Sequence, residues 1–218
     1  LVFFGHSLSS APDRTEAFQA RCIDAGLRQL GVERFSVYAI SYGGYVAYRM
    51  AEVCRPPRLE KAVIVSSGVG FRDGQKEELI RLLGRDPRGV LLPETPKDLR
   101  LLVSLSFCRL RPLRWLPDFF LQDFINEMVK KHRKEKLELL EHLLDNKPEN
   151  DLPVLSQEIL LVWGDQDRVF PPYLGYQLER HLGPKAKLEI LKDTGHAANI
   201  ESPDALNDLI KTFVLGHS

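Results

Sequence analysis

The sequence predicts an α/β protein with a mostly parallel sheet, because short apolar runs alternate with longer helical patterns. The stretch Ala62–Val65 has no polar residue, which is typical of a strand buried on both faces. Further along the chain, several helical patterns follow one another with no strand between them. We therefore expect a sheet of about four strands, flanking helices and an inserted helical segment. The strands are predicted at 35–40, 61–66, 159–163 and 187–191.

Helical periodicity and helix-breaking residues predict the flanking helices. Apolar side chains recur near a helical period over 14–30, and Gly31 ends the pattern. The helix at 45–53 should end at Arg55–Pro57, since proline cannot continue a helix. Two more helices, at 173–182 and about 203–215, are expected after the inserted segment.

The inserted segment is interpreted as a helical cap over 72–151, which leaves 1–71 and 152–218 as the α/β core. Thr95 followed by Pro96 and Asp98 is a typical helix start. Other helical patterns are found at about 75–83, 118–131 and 133–145, and in the last of these Leu137, Leu140, Leu143 and Leu144 fall on one stripe. The apolar-aromatic stretch 115–121 suggests either an acyl-chain pocket or ordinary core packing.

The composition excludes several classes of partner. Thirty basic and 30 acidic side chains give a net charge of zero, so no overall field attracts nucleic acid. No apolar run approaches the ~18 residues of a transmembrane helix. The basic run 130–134 is expected to be a solvated helix face, with contact to a membrane surface as the alternative.

Cysteine usage indicates a reducing compartment. The three cysteines are odd in number and lack the C-x-x-C spacing of metal sites, so free thiols and a cytoplasmic location are expected. Neither a cofactor nor a metal is implied by any motif. Because the chain begins at Leu1 rather than Met, we also expect a segment upstream of it.

The segment Ala39–Gly44 is the main candidate for catalytic chemistry. Its serine, Ser41, lies between a predicted strand and a predicted helix, in a motif that differs from G-x-S-x-G only in having Ala39 in place of the first glycine. Such a sharp turn exposes the serine hydroxyl and needs small residues around it. A Ser-x-Gly sequence can also be an ordinary turn, and that alternative stays open.

A serine nucleophile needs a base and an acid that orients the base, and both are found after later strands. Of the six histidines, only His196 follows a strand through a Thr-Gly turn. Asp167 and Asp165 both follow the strand at 159–163, and Asp167 is preferred because it lies further out along the loop. Asp193 could be a turn residue alone.

These motifs together resemble the α/β-hydrolase superfamily, and the chain is similar to plant hydrolases of the monoacylglycerol-lipase type. The similarity rests on the opening Phe3–Ser7, on Ser41–Arg49 and on Val65–Val69. It continues in Trp163–Asp167 and Gly195–Asn199.

The resemblance implies a Ser-acid-His triad of Ser41, Asp167 and His196, with the backbone N–H of Tyr42 in the oxyanion hole. It also implies that about four strands, including a His-Gly loop that supplies the other half of the hole, precede Leu1 in complete members. The fold is then a truncated α/β-hydrolase fold in which the strand at 35–40 lies at an edge. Alternatively, residues 1–4 form a strand and the next loop replaces the missing donor.

The leading hypothesis is a serine hydrolase of carboxylic esters that acts on a small-molecule ester or lipid. A non-catalytic ligand-binding protein on the same fold is the first alternative, because only one oxyanion donor is identified. An inactive fragment is the second.

Overall fold

The computed structural model describes residues 1–70, 77, 80–81, 83–109, 115–145 and 152–216. Most of the helix expected at about 75–83 lies outside this part of the chain. Residues 1–4 form turns rather than a strand, and the Phe3 amide donates to Ser7 O at 2.7 Å. No helix in the described ranges is both long enough and apolar enough to cross a bilayer.

Four parallel strands form the sheet, in the order in which they occur along the chain. The predicted parallel sheet of about four strands is therefore confirmed. Strand β1 lies at one edge, and all carboxyl ends meet at the same side of the sheet. The strands are β1 (Phe35–Ile40), β2 (Leu59–Val65), β3 (Glu158–Gly164) and β4 (Ala186–Leu191).

Helices cover both faces of the sheet. On β2, Ala62 and Ile64 belong to one hydrophobic cluster, while Val63 and Val65 belong to another. This alternation explains the unbroken apolar run of β2. The first cluster includes side chains of α1, α2 and α7, and the second includes side chains of α8 and α9. These helices are α1 (Glu16–Gln29), α2 (Tyr42–Val53), α7 (Tyr173–Leu182), α8 (Ala198–Glu201) and α9 (Pro203–Leu215).

Further helices lie between β2 and β3 and have a separate hydrophobic cluster of Leu99, Leu121, Ile125 and Val129. The predicted cap boundaries fall at or beside residues outside the described ranges, so the division into core and cap stays a prediction. The helices are α3 (Pro87–Leu91), α4 (Pro96–Ser106), α5 (Asp118–Phe124), a π-helix (Ile125–Lys130) and α6 (Arg133–Asp145).

Local capping chemistry explains where two helices begin. Asp98 and Thr95 form a reciprocal capping box at the start of α4, as the sequence pattern suggested. Helix α3 was not predicted, although Asp86 caps it by accepting from the Arg88 amide and Pro87 follows at its first position. A five-residue helix has too few positions to show periodicity.

Two predictions about helices were wrong in detail. Helix α2 begins at Tyr42 rather than at 45, directly after Ser41. The helix expected at 118–131 divides into α5 and the π-helix. In α6, Lys136 and Leu139 are buried, and two leucines of the stripe, Leu140 and Leu143, line a cavity together with them.

The side chains of the aromatic stretch at 115–121 are mostly exposed, and they are not among the residues that line the cavity beside Ser41. Trp115 is 86% exposed, and Phe119 and Phe120 are exposed as well, whereas Leu121 is buried. The sequence could not distinguish these cases, since exposure depends on which neighbours the fold supplies.

Asp24, in α1, connects three segments of the chain through hydrogen bonds. Its carboxylate accepts hydrogen bonds from Arg28 in α1, from Arg58 before β2 and from the thiol of Cys54 at the end of α2. Burial alone raises the pKa of Asp24, but the hydrogen bonds from Arg28, Cys54 and Arg58 outweigh it and lower the pKa to about 2. The group therefore stabilises the fold as a carboxylate.

Replacing Asp24 by Asn should make stability less sensitive to acid. The folded pKa of about 2 lies below the ordinary pKa of 3.8 for an aspartate, so this stabilisation is present above pH 3.8 and disappears as the pH falls through 2. The shift corresponds to about 2 kcal/mol at neutral pH. Urea unfolding at pH 7 and at steps down to pH 2 should show that the difference between wild type and Asp24→Asn shrinks. The exposed control Asp123→Asn should change neither curve, and a constant difference would contradict the prediction.

Candidate active site

The carboxyl ends of the parallel strands bring three chain segments to one side of the sheet. Ser41 directly follows β1, Asp167 follows β3, and His196 follows β4. All three residues belong to loops or turns rather than to strands. Of the strands beneath them, β2 and β3 are almost fully buried. A rigid sheet with reactive side chains on its loops is the usual way to position catalytic groups.

Ser41 lies in a conformation that side-chain-bearing residues rarely adopt. Its φ is 54° and its ψ is −122°. Two hydrogen bonds hold this turn: the Ser41 amide donates to Val65 O at 2.9 Å, and the Gly44 amide donates to Ser41 O at 2.9 Å. Backbone strain of this kind, of the order of 1–3 kcal/mol, persists only where surrounding structure enforces it, and it is concentrated at functional sites.

Gly44 permits the close packing of α2 against β2 behind this turn. A Cβ atom at Gly44 would lie 2.4 Å from Ser67 Cβ and 2.9 Å from Ile64 Cγ2. At Gly43, two residues after the serine, a Cβ atom would make an ordinary contact of 3.6 Å with Ala39 Cβ. The strict steric requirement therefore falls on Gly44 rather than on the Ala39–Gly43 pair that the motif emphasises.

Asp167 and His196 are in direct contact. The distance between Asp167 Oδ2 and His196 Nδ1 is 2.9 Å, and the Asp167 side chain is fully buried. The other carboxylate oxygen, Oδ1, accepts from the amides of Val169 and Phe170 at 2.8 and 2.9 Å. Three donors thus fix both oxygens of the carboxylate, and the carboxylate fixes the imidazole ring.

The competing acid, Asp165, has a different position. Its Oδ1 accepts from the Thr194 amide at 3.2 Å and so ties the β3 loop to the β4 loop. Asp193 is an exposed turn residue with φ 51°, and it pairs with Arg109 at 2.7 Å. Of Asp165, Asp167 and Asp193, only Asp167 contacts the His196 ring in the described part of the chain.

Two residues that the motifs do not emphasise hold the His196 loop in place. A Cβ atom at Gly164 would lie 2.2 Å from Thr194 O, so glycine allows the β3 and β4 loops to touch. Glu201 accepts from the amides of Gly195, Cys108 and Arg109 at 2.7, 3.0 and 2.7 Å. The sequence analysis missed Glu201, since no local pattern marks a side chain that binds amides 92 and 93 residues away.

Ser41 opens onto a cavity of about 180 Å³. Phe170 lines this cavity as well, and its ring centroid lies 5.7 Å from that of His196. No hydrogen bond joins Ser41 to His196 among the described residues; such contacts often tighten only when a substrate is bound. The remaining lining residues are Phe4, Tyr42, Tyr45, Leu91, Leu92, Lys136, Leu139, Leu140 and Leu143.

The cavity is largely apolar. Burial, with a smaller contribution from Glu16, raises the pKa of both Tyr42 and Tyr45 far above the usual range, so both phenols stay neutral. Tyr42 is the first residue of α2, and its backbone N–H has no partner within the helix. No group of three His, Cys, Asp or Glu side chains suited to a metal ion is found in the described residues.

Comparison with known proteins agrees with this architecture. The model of the alpha/beta hydrolase family matches residues 3–209. A 2-hydroxy-6-oxononadienedioate/2-hydroxy-6-oxononatrienedioate hydrolase from Klebsiella pneumoniae is 26% identical over 207 residues, which is 89% of this chain and 67% of that protein.

Two solved structures illustrate the similarity in fold. An esterase from Exiguobacterium antarcticum has a TM-score of 0.76 and 17% identity, over 97% of this chain and 78% of its own. A meta-cleavage product hydrolase from Pseudomonas fluorescens IP01 has a TM-score of 0.77 and 19% identity, over 100% of this chain and 78% of its own.

The parallel sheet, its covering helices and the loops at its carboxyl edge define an α/β hydrolase fold. With the family model matched over nearly its whole length, the chain belongs to the alpha/beta hydrolase family. The predicted superfamily is therefore confirmed, and the relatives named above are hydrolases.

The different surroundings of Gly43 and Gly44 lead to opposite expectations for alanine. Gly44→Ala should lower the free energy of unfolding by about 1–3 kcal/mol, because the new methyl group overlaps Ser67 and Ile64. Gly43→Ala should be neutral or stabilise by up to about 1 kcal/mol, since alanine favours the helix and the space is sufficient. Urea unfolding of both variants measures these changes, and equal effects would refute the steric argument.

Proposed function

We propose that the protein is a serine hydrolase of carboxylic esters, with a small-molecule ester or a lipid as substrate. The observation that carries the proposal is the buried Asp167 carboxylate bonded to His196, beside a cavity that holds Ser41 on a strained turn. Hydrolysis as the reaction class is also consistent with the related proteins named above, a hydrolase and an esterase.

Ser41, His196 and Asp167 have different roles in the proposed reaction. Ser41 Oγ attacks the acyl carbon, His196 takes the hydroxyl proton, and the same ring then returns a proton to the leaving alcohol. A water molecule attacks the acyl-enzyme in the second half of the cycle, again with His196 as base. Asp167 holds the proton on His196 Nδ1 and stabilises the imidazolium that forms.

Charge on the acyl oxygen needs donors that are already in position. The Tyr42 N–H, at the start of α2, is the donor that we assign, and the positive end of the helix favours the same charge. The side chains around Ser41 are largely apolar, so this electrostatic stabilisation is stronger than it would be in bulk solvent.

A second candidate is a binding protein that holds a ligand in the same cavity without turnover. It is favoured by one observation, namely that Tyr42 is the single oxyanion donor we assign. A protein of this kind would bind ligands but would not react with an electrophile at Ser41.

Substitutions at the triad should test the proposal. We expect Ser41→Ala to abolish labelling by a fluorophosphonate probe and to reduce hydrolysis of 4-nitrophenyl esters to background. Asp167→Asn should lower kcat by a factor of about 10³–10⁴, because the wrong tautomer of His196 is favoured.

The neighbouring carboxylate supplies the matched control. Asp165→Asn keeps an oxygen that can accept from Thr194, so it should change kcat by less than about tenfold. If Asp165→Asn is as damaging as Asp167→Asn, the assignment of the acid is wrong. Ligand binding without any Ser41-dependent labelling would support the binding protein instead.

A further inference from the structure

One wall of the apolar cavity carries a cation. Lys136, in α6, is only 5% exposed and lines the same cavity as Ser41. Its neighbours along that wall, Leu139, Leu140 and Leu143, are aliphatic. Lysine is almost never buried to this degree unless something pairs with it.

The contacts of Lys136 do not neutralise its charge. The ammonium donates to the backbone oxygen of Met128 at 2.6 Å and lies 5.4 Å from the centroid of the Phe4 ring. In the part of the chain that the structure describes, Lys136 forms no ion pair with a carboxylate. Glu138 lies close in sequence but is engaged by Arg14 at 2.7 Å.

This arrangement leaves donor capacity beside the cavity. An ammonium group has three N–H donors, and the Met128 carbonyl accepts from one of them. Burial, with the charge of Lys131 adding to it, lowers the pKa of Lys136, as expected for a cation without a counter-ion. An anion in the cavity would relieve this cost and complete the hydrogen bonding.

We propose that Lys136 is a specificity-determining residue that binds a carboxylate on the substrate, so that the preferred substrate is an ester whose acyl chain ends in a second carboxylate. The proposal rests on the proposed function for the ester reaction at Ser41. The apolar side chains that line the same cavity would contact the methylene groups, while Ser41 and Lys136 would bind the two ends.

A matched pair of substrates tests this preference. Mono(4-nitrophenyl) adipate and 4-nitrophenyl hexanoate have acyl chains of six carbons and differ in the terminal carboxylate. Wild type should have the higher kcat/KM for the adipate. Lys136→Met keeps the length of the side chain but removes the charge, and it should lower kcat/KM for the adipate about 10- to 100-fold while changing that for the hexanoate by less than about threefold.

Two further variants separate charge from packing. Lys134→Met removes an exposed lysine from the same helix, with 84% of its side chain accessible, and should leave both substrates unaffected. Lys136→Arg keeps the charge and should retain part of the preference for adipate. If Lys136 only holds the Met128 carbonyl, Lys136→Met will reduce activity on both esters equally, and the proposal fails.

Binding to a protein that cannot react distinguishes this proposal from the proposed function. In a Ser41→Ala background, calorimetry should show tighter binding of hexanoate than of hexanamide, and Lys136→Met should abolish the difference. If the Ser41→Ala protein with Lys136 intact binds the two ligands equally, the proposal is overturned. This result does not depend on whether Lys136→Met folds. Charge-selective binding without Ser41-dependent hydrolysis overturns the ester reaction but keeps the anion site. Ser41-dependent hydrolysis without charge-selective binding keeps the ester reaction but overturns the anion site.

Discussion

Parallel pairing of four strands in register is the constraint on which the rest of the molecule depends. Because Ile40 pairs with Val65, and Val65 with Val162, β1 and β2 end at the same level and β3 and β4 end two residues further on, so the loops that follow them meet at one edge. Burial of both faces of the central strands makes a slip in register costly, since one residue of slip would exchange the side chains between the two hydrophobic clusters. The contact between Asp167 and His196 therefore follows from the pairing of β3 with β4 and from the close approach of their loops.

Much of this fold is predictable from sequence because the signals are local. The apolar run of β2 and the Thr95–Asp98 capping box are each set by a few neighbouring residues, and the structure has both. The division of 118–131 into an α-helix and a π-helix has no such local signal. The exposure of the aromatic stretch at 115–121 and the buried side of α6 depend on packing partners far away in the sequence, which periodicity does not reveal.

The candidate site shows the same division between local and distant effects. Ser41 could be singled out because a strained turn between strand and helix needs a recognisable set of small residues, although the critical one proved to be Gly44. Asp167 and His196 could be placed because strand order fixes where their loops lie. Glu201 and Lys136 could not, because their importance comes from amides, carbonyls and apolar surfaces contributed by other segments. Sequence patterns identify groups that carry reactivity more readily than groups that hold them in position.

The walls of the cavity come from two sources, and this decides which parts of the site can vary separately. Ser41 and Phe170 belong to loops at the carboxyl edge of the sheet and Tyr42 begins α2, whereas Leu91, Leu139 and Leu143 belong to helices inserted between β2 and β3. None of the donors to Asp167 belongs to α3 or α6, since its carboxylate is bound by Val169, Phe170 and His196. Substitutions in α3 and α6 can therefore reshape the space beside Ser41 while these hydrogen bonds stay in place.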